Sequence, residues 1–157
     1  ERATMKILVS ACLLGENCKY SGGNNYNQAV CDFARGHQVV PVCPEVLGGL
    51  PTPRCPAEIV QGVVTNKEGI NVDQEFRAGA AKALAIAKEN GVELAILQSR
   101  SPSCGVKEIY DGTFSGTKIP GQGVFAKMLM DEGVRVLDAG KLPKIILKNE
   151  DGKCQSN

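Results

Sequence analysis

The chain has 157 residues, of which 43% are hydrophobic, and this length and composition predict one globular domain with a well-buried core. Its 18 basic and 17 acidic residues give a net charge of +1, so no overall field would steer it to nucleic acid or to a membrane. The sequence contains no apolar run of about eighteen residues and no signal-peptide pattern. We therefore expect a cytoplasmic protein with no membrane partner and no bulk nucleic-acid binding.

The expected domain spans residues 5–140. Residues 1–4 precede Met5, the expected native start, and are expected to be left over from expression of the protein. Residues 141–157 are expected to form a polar tail.

The first half of the chain predicts two strands, a helix and a hairpin. A continuous apolar run over Lys6–Ala11 is typical of a strand that is covered on both faces of a parallel sheet. A helix is expected over 24–35 and a second strand over 37–42, before a stretch rich in Pro and Gly. Residues 57–64 and 68–72 alternate around the three residues between them, which predicts a small β-hairpin insertion.

The second half continues the alternation of helix and strand. Asp73 is the expected N-cap of the most regular helix, and residues 92–97 predict a third strand. After a Gly-rich connection over 114–122, a helix is expected over 124–132 and a fourth strand over 134–137. The pattern predicts a single-domain α/β fold with a mostly parallel, Rossmann-like sheet, flanking helices and right-handed crossovers.

Seven cysteines are many for a cytoplasmic protein, and their odd number argues against a closed set of disulfides. Cys12, Cys43 and Cys104 each follow a predicted strand. Ligands of parallel sheets bind beyond the carboxyl ends of the strands, so these three thiols are expected to converge. The single histidine, His37, is far in sequence from the cysteine loops. Several thiols without histidines favour an iron–sulfur cluster over zinc.

The other cysteines carry weaker signals. Cys31, inside the first helix, is expected to pack as a small apolar residue, and Cys154 is expected to be an incidental free thiol. Cys18 and Cys55 lie in predicted loops and remain candidate ligands. If only three cysteines bind a four-iron cluster, one iron stays open to bind water, sulfide or substrate as a Lewis acid.

Two further patterns concern the same region. Residues 121–126 match the G-x-G-x-x-A pattern of dinucleotide-binding folds, but the residues before them make a poor buried strand, which favours a flexible flap over the site.

Arg54 follows two prolines. It is a candidate substrate-binding residue, and the alternatives are that it pairs with a site carboxylate or is a solvated loop charge.

Four segments of the sequence carry a resemblance to a known family. They are Ser10-Ala11-Cys12-Leu13-Leu14-Gly15, residues 43–54 (CPEVLGGLPTPR), Ser101-Pro102-Ser103-Cys104-Gly105 and Ile109-Tyr110-Asp111-Gly112. Together they resemble a bacterial family whose characterised members are thiouracil desulfidases. The similarity runs from about residue 6 to about residue 137, which is nearly the whole predicted domain.

The resemblance implies a [4Fe-4S] cluster held by Cys12, Cys43 and Cys104, with the fourth iron open. It also implies catalytic roles for Glu45 and for a serine of the third motif, which we place at Ser101 with Ser103 as the alternative. The implied substrate is a small thiolated base or nucleoside such as thiouracil.

The implied chemistry is a hydrolysis. On this reading the open iron would act as a Lewis acid on the thione sulfur, and Glu45 would take a proton from a water oriented with Ser101 that attacks the ring carbon. C=S becomes C=O, hydrogen sulfide is released and no electron is transferred. Two other classes stay open, an iron–sulfur redox or cluster-carrier protein and a zinc-stabilised binding module.

Overall fold

The computed structural model describes residues 4–141. Its helices and strands follow in the order β1 (Lys6–Ser10), α1 (Gln28–Ala34), β2 (Gln38–Val42), α2 (Pro44–Leu47), β3 (Ala57–Val60), β4 (Val63–Asn66), α3 (Asp73–Glu89), β5 (Leu94–Leu97), β6 (Glu108–Tyr110), β7 (Lys118–Pro120), α4 (Val124–Asp131) and β8 (Arg135–Asp138). Short 3-10 helices cover Ala11–Leu14 and Ala139–Lys141.

Four strands form a wholly parallel sheet in the order β2-β1-β5-β8. The two central strands, β1 and β5, are almost completely buried, because their continuous apolar sequences are covered on both faces. The predicted α/β fold with a mostly parallel sheet and flanking helices is confirmed.

The two faces of the sheet belong to different apolar clusters. On one face, Leu8 of β1 and Leu97 of β5 lie in the cluster that includes Phe76 of α3 and Leu129 of α4. On the other face, the neighbouring residues of β1 and β5 cluster with Val30 of α1. This alternation follows from the two-residue period of a strand. Because all four strands are parallel, their carboxyl ends lie at one edge of the sheet.

Helix α2, which follows Cys43 directly, crosses α3 with almost no space between the two backbones. A Cβ on Gly79 would overlap the carbonyl oxygen of Pro44, and a Cβ on Gly48 would overlap the carbonyl oxygen of Glu75. Two glycines therefore allow the segment that carries Cys43 to lie directly on the longest helix.

The hairpin insertion is present, but its predicted turn was wrong. Strands β3 and β4 are antiparallel and are joined at Gln61 and Gly62, not at residues 65–67. Both turn residues have positive φ, 51° and 83°, as a tight two-residue hairpin connection requires. A second, longer turn follows β4, where a single bridge joins Thr65 to Asn71.

Asp73 was also wrongly assigned as an N-cap. The cap position is Val72, and Asp73 is the first residue of α3. Its carboxylate accepts the backbone N–H of Val64 at 2.9 Å and pairs with Arg77 at 2.7 Å. The pKa of Asp73 is lowered, since these hydrogen bonds outweigh the effect of its burial. Asp73 thus joins α3 to β4.

A second hairpin was not predicted. Strands β6 and β7 pair antiparallel across part of the Gly-rich connection.

No helix among residues 4–141 is both long and apolar enough to cross a membrane. The domain boundaries stay a prediction, and the predicted tail after Lys141, with Cys154, lies outside the described residues.

We expect Gly79→Ala to lower the free energy of unfolding by about 2 kcal/mol or more, because the overlap with Pro44 outweighs the gain in helix propensity of about 1 kcal/mol. Gly36→Ala is the matched control, since a Cβ there meets nothing within 4 Å. It should change the free energy by less than about 0.5 kcal/mol in the same urea titration. Equal stabilities for the two variants would contradict the close packing of α2 on α3.

Candidate active site

A cavity of about 460 Å³ opens at the carboxyl edge of the parallel sheet. Five of the six cysteines among residues 4–141 line it: Cys12, Cys18, Cys43, Cys55 and Cys104. Cys31 does not, and it lies within α1 as expected. The structure therefore brings together the three strand-end thiols that the sequence singled out, and it adds two others.

The Cys104 loop, residues 101–105, is held by the N-terminus of α4. The first three N–H groups of this helix donate to the carbonyl oxygens of Pro102 and Ser103 at 2.8 to 3.0 Å. A Cβ on Gly123 would lie only 2.5 Å from the carbonyl carbon of Ser103. The G-x-G-x-x-A pattern thus packs a cysteine loop, and the N–H groups that would cradle a pyrophosphate are already used.

The thiols differ in how readily they ionise. The thiol of Cys18 lies beside those of Cys12 and Cys43, and hydrogen bonding with it lowers the pKa of either to about 7 although burial opposes this. The same two contacts raise the pKa of Cys18 itself. Asn25 also donates to the sulfur of Cys12, at 3.4 Å. Burial raises the pKa of Cys104.

Glu45 lies in the first turn of α2 and faces the same cavity. Its Oε1 accepts from Nε and a terminal nitrogen of Arg54 at 3.0 and 2.8 Å. Its Oε2 accepts from the Ser103 hydroxyl at 3.2 Å. The side chains of Arg54 and Glu45 are only 7% and 15% exposed, so this ion pair is largely shielded from solvent. Both carboxylate oxygens are held in place.

The two candidate serines have different contacts. Ser101 Oγ accepts the backbone N–H groups of Ser103 and Cys104, both at 3.0 Å, and shapes the loop that carries Cys104. Ser103 is 1% exposed and directly contacts Glu45. Both serines line the cavity.

Arg54 is bound on all sides by the protein. Besides Glu45, it donates to the carbonyl oxygens of Cys18 and Pro51 and to the hydroxyl of Thr52, at 2.8 to 3.0 Å. Its five N–H groups match these five contacts. Of the alternatives for Arg54, the pairing with a site carboxylate is the arrangement present here, and direct contact with substrate stays a prediction.

Several site residues were missed by the sequence analysis. Ser10 is buried at the end of β1, accepts the N–H of Gln98 at 3.0 Å and hydrogen-bonds to Cys104. Asn25 and Glu58 also line the cavity. Ser10 could have been found from its place at a strand end, but no local pattern marks the other two.

The side chains around the cavity indicate which kind of metal group they could hold. No three His, Cys, Asp or Glu side chains within residues 4–141 are arranged to hold a single metal ion, so these residues give no support to a zinc-stabilised module. A four-iron cluster is larger than one ion and holds its cysteine ligands farther apart. Thiols from three separate strand ends around one cavity suit such a group.

The fold and the site define a parallel α/β protein with a thiol-lined cavity at the carboxyl edge of its sheet. Residues 7–140 match the 2-thiouracil desulfurase family, and the chain belongs to this family. It is 41% identical over 150 residues to the uncharacterized protein YbbK of Bacillus subtilis (strain 168), covering 89% of this chain and 99% of YbbK.

A solved structure gives the same assignment. The chain is similar to the [4Fe-4S]-dependent thiouracil desulfidase TudS, with a TM-score of 0.83 and 39% sequence identity. The match covers 94% of this chain and 99% of that one. The resemblance found in the four sequence segments is therefore confirmed.

The thiol pKa values predict a pH-dependent alkylation pattern in protein freed of metal by chelation. Cys12 and Cys43, with pKa values of about 7, should react with iodoacetamide at rates that fall about tenfold for each pH unit below that value. Cys104 should react more slowly than either, because burial raises the pKa of its thiol. Peptide mass spectrometry after timed labelling measures each site.

The control variant is Cys18→Ala, which removes the thiol whose single S–H stabilises the thiolate of either Cys12 or Cys43. Its loss should raise the pKa of Cys12 and Cys43 and move the labelling midpoints to higher pH. Midpoints that are the same in wild type and Cys18→Ala would contradict this contact.

Proposed function

We propose that the protein is an enzyme that hydrolyses C=S to C=O in thiolated pyrimidines such as thiouracil and releases hydrogen sulfide without redox chemistry. The observation that carries the proposal is the convergence of three strand-end thiols and the fixed carboxylate of Glu45 on one cavity. Membership of the 2-thiouracil desulfurase family supports the same reaction.

Cys12, Cys43 and Cys104 are the proposed ligands of a [4Fe-4S] cluster. This set is supported by their places in the segments that follow β1, β2 and β5 and by the absence of histidine from the cavity lining. Bound there, the cluster would supply one iron without a protein ligand, a soft Lewis acid suited to a thione sulfur. Cys18 and Cys55 are proposed to remain unligated.

Glu45 is the proposed general base. A base must be held within hydrogen-bond reach of the water that it deprotonates, and the contacts from Arg54 and Ser103 fix both of its oxygens at the cavity. Ser101 is proposed to orient the water, because its oxygen is held by two backbone N–H groups while its hydroxyl hydrogen is left for another acceptor. Ser103 is proposed to position Glu45.

The proposed substrate is a small thiolated base or nucleoside. The cavity volume of about 460 Å³ lies within the range of about 300 to 1,000 Å³ that is common for small-molecule sites. Arg54 is proposed to act on the substrate mainly through Glu45. The cytoplasm is the proposed compartment, because a reducing compartment keeps thiols free and the six cysteines among residues 4–141 are all free.

The direct test is to incubate anaerobically reconstituted protein with a panel of thionated pyrimidines and to measure released sulfide. Stoichiometric sulfide and the corresponding oxo-pyrimidine are expected from at least thiouracil. A protein that binds iron and inorganic sulfide but releases none from any member of the panel would contradict the proposal and favour a redox or cluster-carrier role.

We expect Cys12→Ala, Cys43→Ala and Cys104→Ala each to lose bound iron and acid-labile sulfide, whereas the control Cys31→Ala keeps them. Analysis of iron and sulfide in anaerobically prepared protein decides this. Loss of iron in Cys18→Ala or in Cys55→Ala would contradict ligation by only three cysteines.

Glu45→Gln should keep the cluster and lower kcat by roughly 10² to 10⁴, because the amide has nearly the same shape but is no base. Ser101→Ala should lose less, since one orienting hydrogen bond contributes about 1 kcal/mol or somewhat more near charge. Steady-state sulfide release, normalised to iron content, measures both effects.

The contrary outcome is that Glu45 only shapes its loop through Arg54. Glu45→Gln would then keep a kcat close to wild type and lose stability. A double-mutant cycle with Arg54→Ala would show strong coupling in the free energy of unfolding and little in turnover.

A further inference from the structure

The β6–β7 hairpin supplies aromatic side chains to the cavity. Three of the seven aromatic residues of the chain line it, namely Tyr20, Tyr110 and Phe114. Tyr110 ends β6, and Phe114 lies in the loop that joins β6 to β7. A protein with so few aromatic residues thus places almost half of them around one small cavity.

Phe114 has an unusual backbone conformation. Its φ of 58° is in the left-handed region, where only three non-glycine residues of the described chain lie. An apolar side chain cannot stabilise this conformation by a hydrogen bond to its own backbone, as Asn or Asp can. The surrounding structure must therefore impose it, and such positions are concentrated at functional sites.

Glu58 of β3 supplies that constraint. One atom, Oε1, accepts the N–H of Gly112 at 2.9 Å and the N–H of Phe114 at 3.1 Å. The loop also lies directly on β3, because a Cβ on Gly112 would be only 2.7 Å from the carbonyl oxygen of Ile59. The contacts join the two hairpins at the cavity.

The loop is braced internally as well. Oδ1 of Asp111 accepts both the N–H and the hydroxyl of Thr113, at 2.9 and 2.6 Å. The N–H of Asp111 donates to the carbonyl oxygen of Thr117 at 2.9 Å, which closes the loop at its base. The loop is thus a shaped unit, and Glu58 sets where that unit lies against β3.

We infer that Glu58 is a positioning residue that holds Phe114 as an aromatic wall of the cavity, against which the flat ring of the substrate packs. The inference rests on the proposed function, because it takes the substrate to be a planar thionated pyrimidine. A phenyl ring packs well on any heteroaromatic ring face, whichever ring carbon carries the sulfur. The wall therefore recognises the ring, while the thiols and Glu45 act on the C=S group.

The test separates ring binding from chemistry in the reconstituted holoenzyme. Phe114→Leu keeps an apolar side chain and the same backbone conformation but removes the ring, and Phe114→Tyr keeps the ring. Glu58→Ala removes the acceptor, whereas Glu58→Gln retains an oxygen at the position of Oε1. KM and kcat for thiouracil are measured for each variant, together with the Kd of uracil, which has no sulfur to contact iron.

Phe114→Leu and Glu58→Ala should each raise KM and the uracil Kd about fivefold to a hundredfold, the range expected for a lost stacking contact. Their kcat and iron content should stay within about twofold of wild type. Phe114→Tyr and Glu58→Gln should keep KM and uracil Kd values close to those of the wild type. A general loss of stability would not separate the conservative variants from the other two in this way. Thermal unfolding of all four variants serves as the control.

The inference would be overturned if Phe114→Leu, with full cluster content, kept the wild-type KM and uracil Kd, or if kcat fell while both constants stayed unchanged. It would also be overturned if Glu58→Gln lost as much uracil affinity as Glu58→Ala. A wild-type protein that releases no sulfide would contradict the proposed function instead, and the uracil Kd values would still decide whether the wall binds the ring.

Discussion

The buried guanidinium of Arg54 is the interaction on which the site depends. The Arg54 side chain is only 7% exposed, and burying its charge costs desolvation free energy unless every donor has an acceptor. All five N–H groups of Arg54 have one. Its partners come from the Cys18 loop, from α2 through Glu45 and from the proline-rich segment that carries Arg54 itself. One side chain therefore fixes the carboxylate relative to two cysteine loops.

Backbone packing fixes the remaining parts of the site. Gly48 and Gly79 allow α2 to lie on α3, and the N-terminus of α4 binds the carbonyl oxygens of the Cys104 loop. The segment that carries Cys43 and the loop that carries Cys104 are thus each held against a helix of the core. The thiols can be held at separate strand ends without any disulfide among residues 4–141.

The fold class and the meeting of Cys12, Cys43 and Cys104 could be predicted, because apolar runs define parallel strands and parallel strands end at one edge. The position of the first hairpin turn could not, since Gln61 is not a typical residue for positive φ. The contacts of Cys18 and Glu58 could not be predicted either. They depend on how loops distant in sequence pack together, and no local periodicity records that.

The central claim is hydrolysis at a cavity where thiols and a fixed carboxylate meet. It is tested most directly by incubating anaerobic holoprotein with thiouracil in ¹⁸O-labelled water without any electron donor. We expect one sulfide for each uracil formed and one labelled oxygen at the carbon that carried sulfur. Unlabelled uracil, or turnover that requires a reductant, would contradict this account.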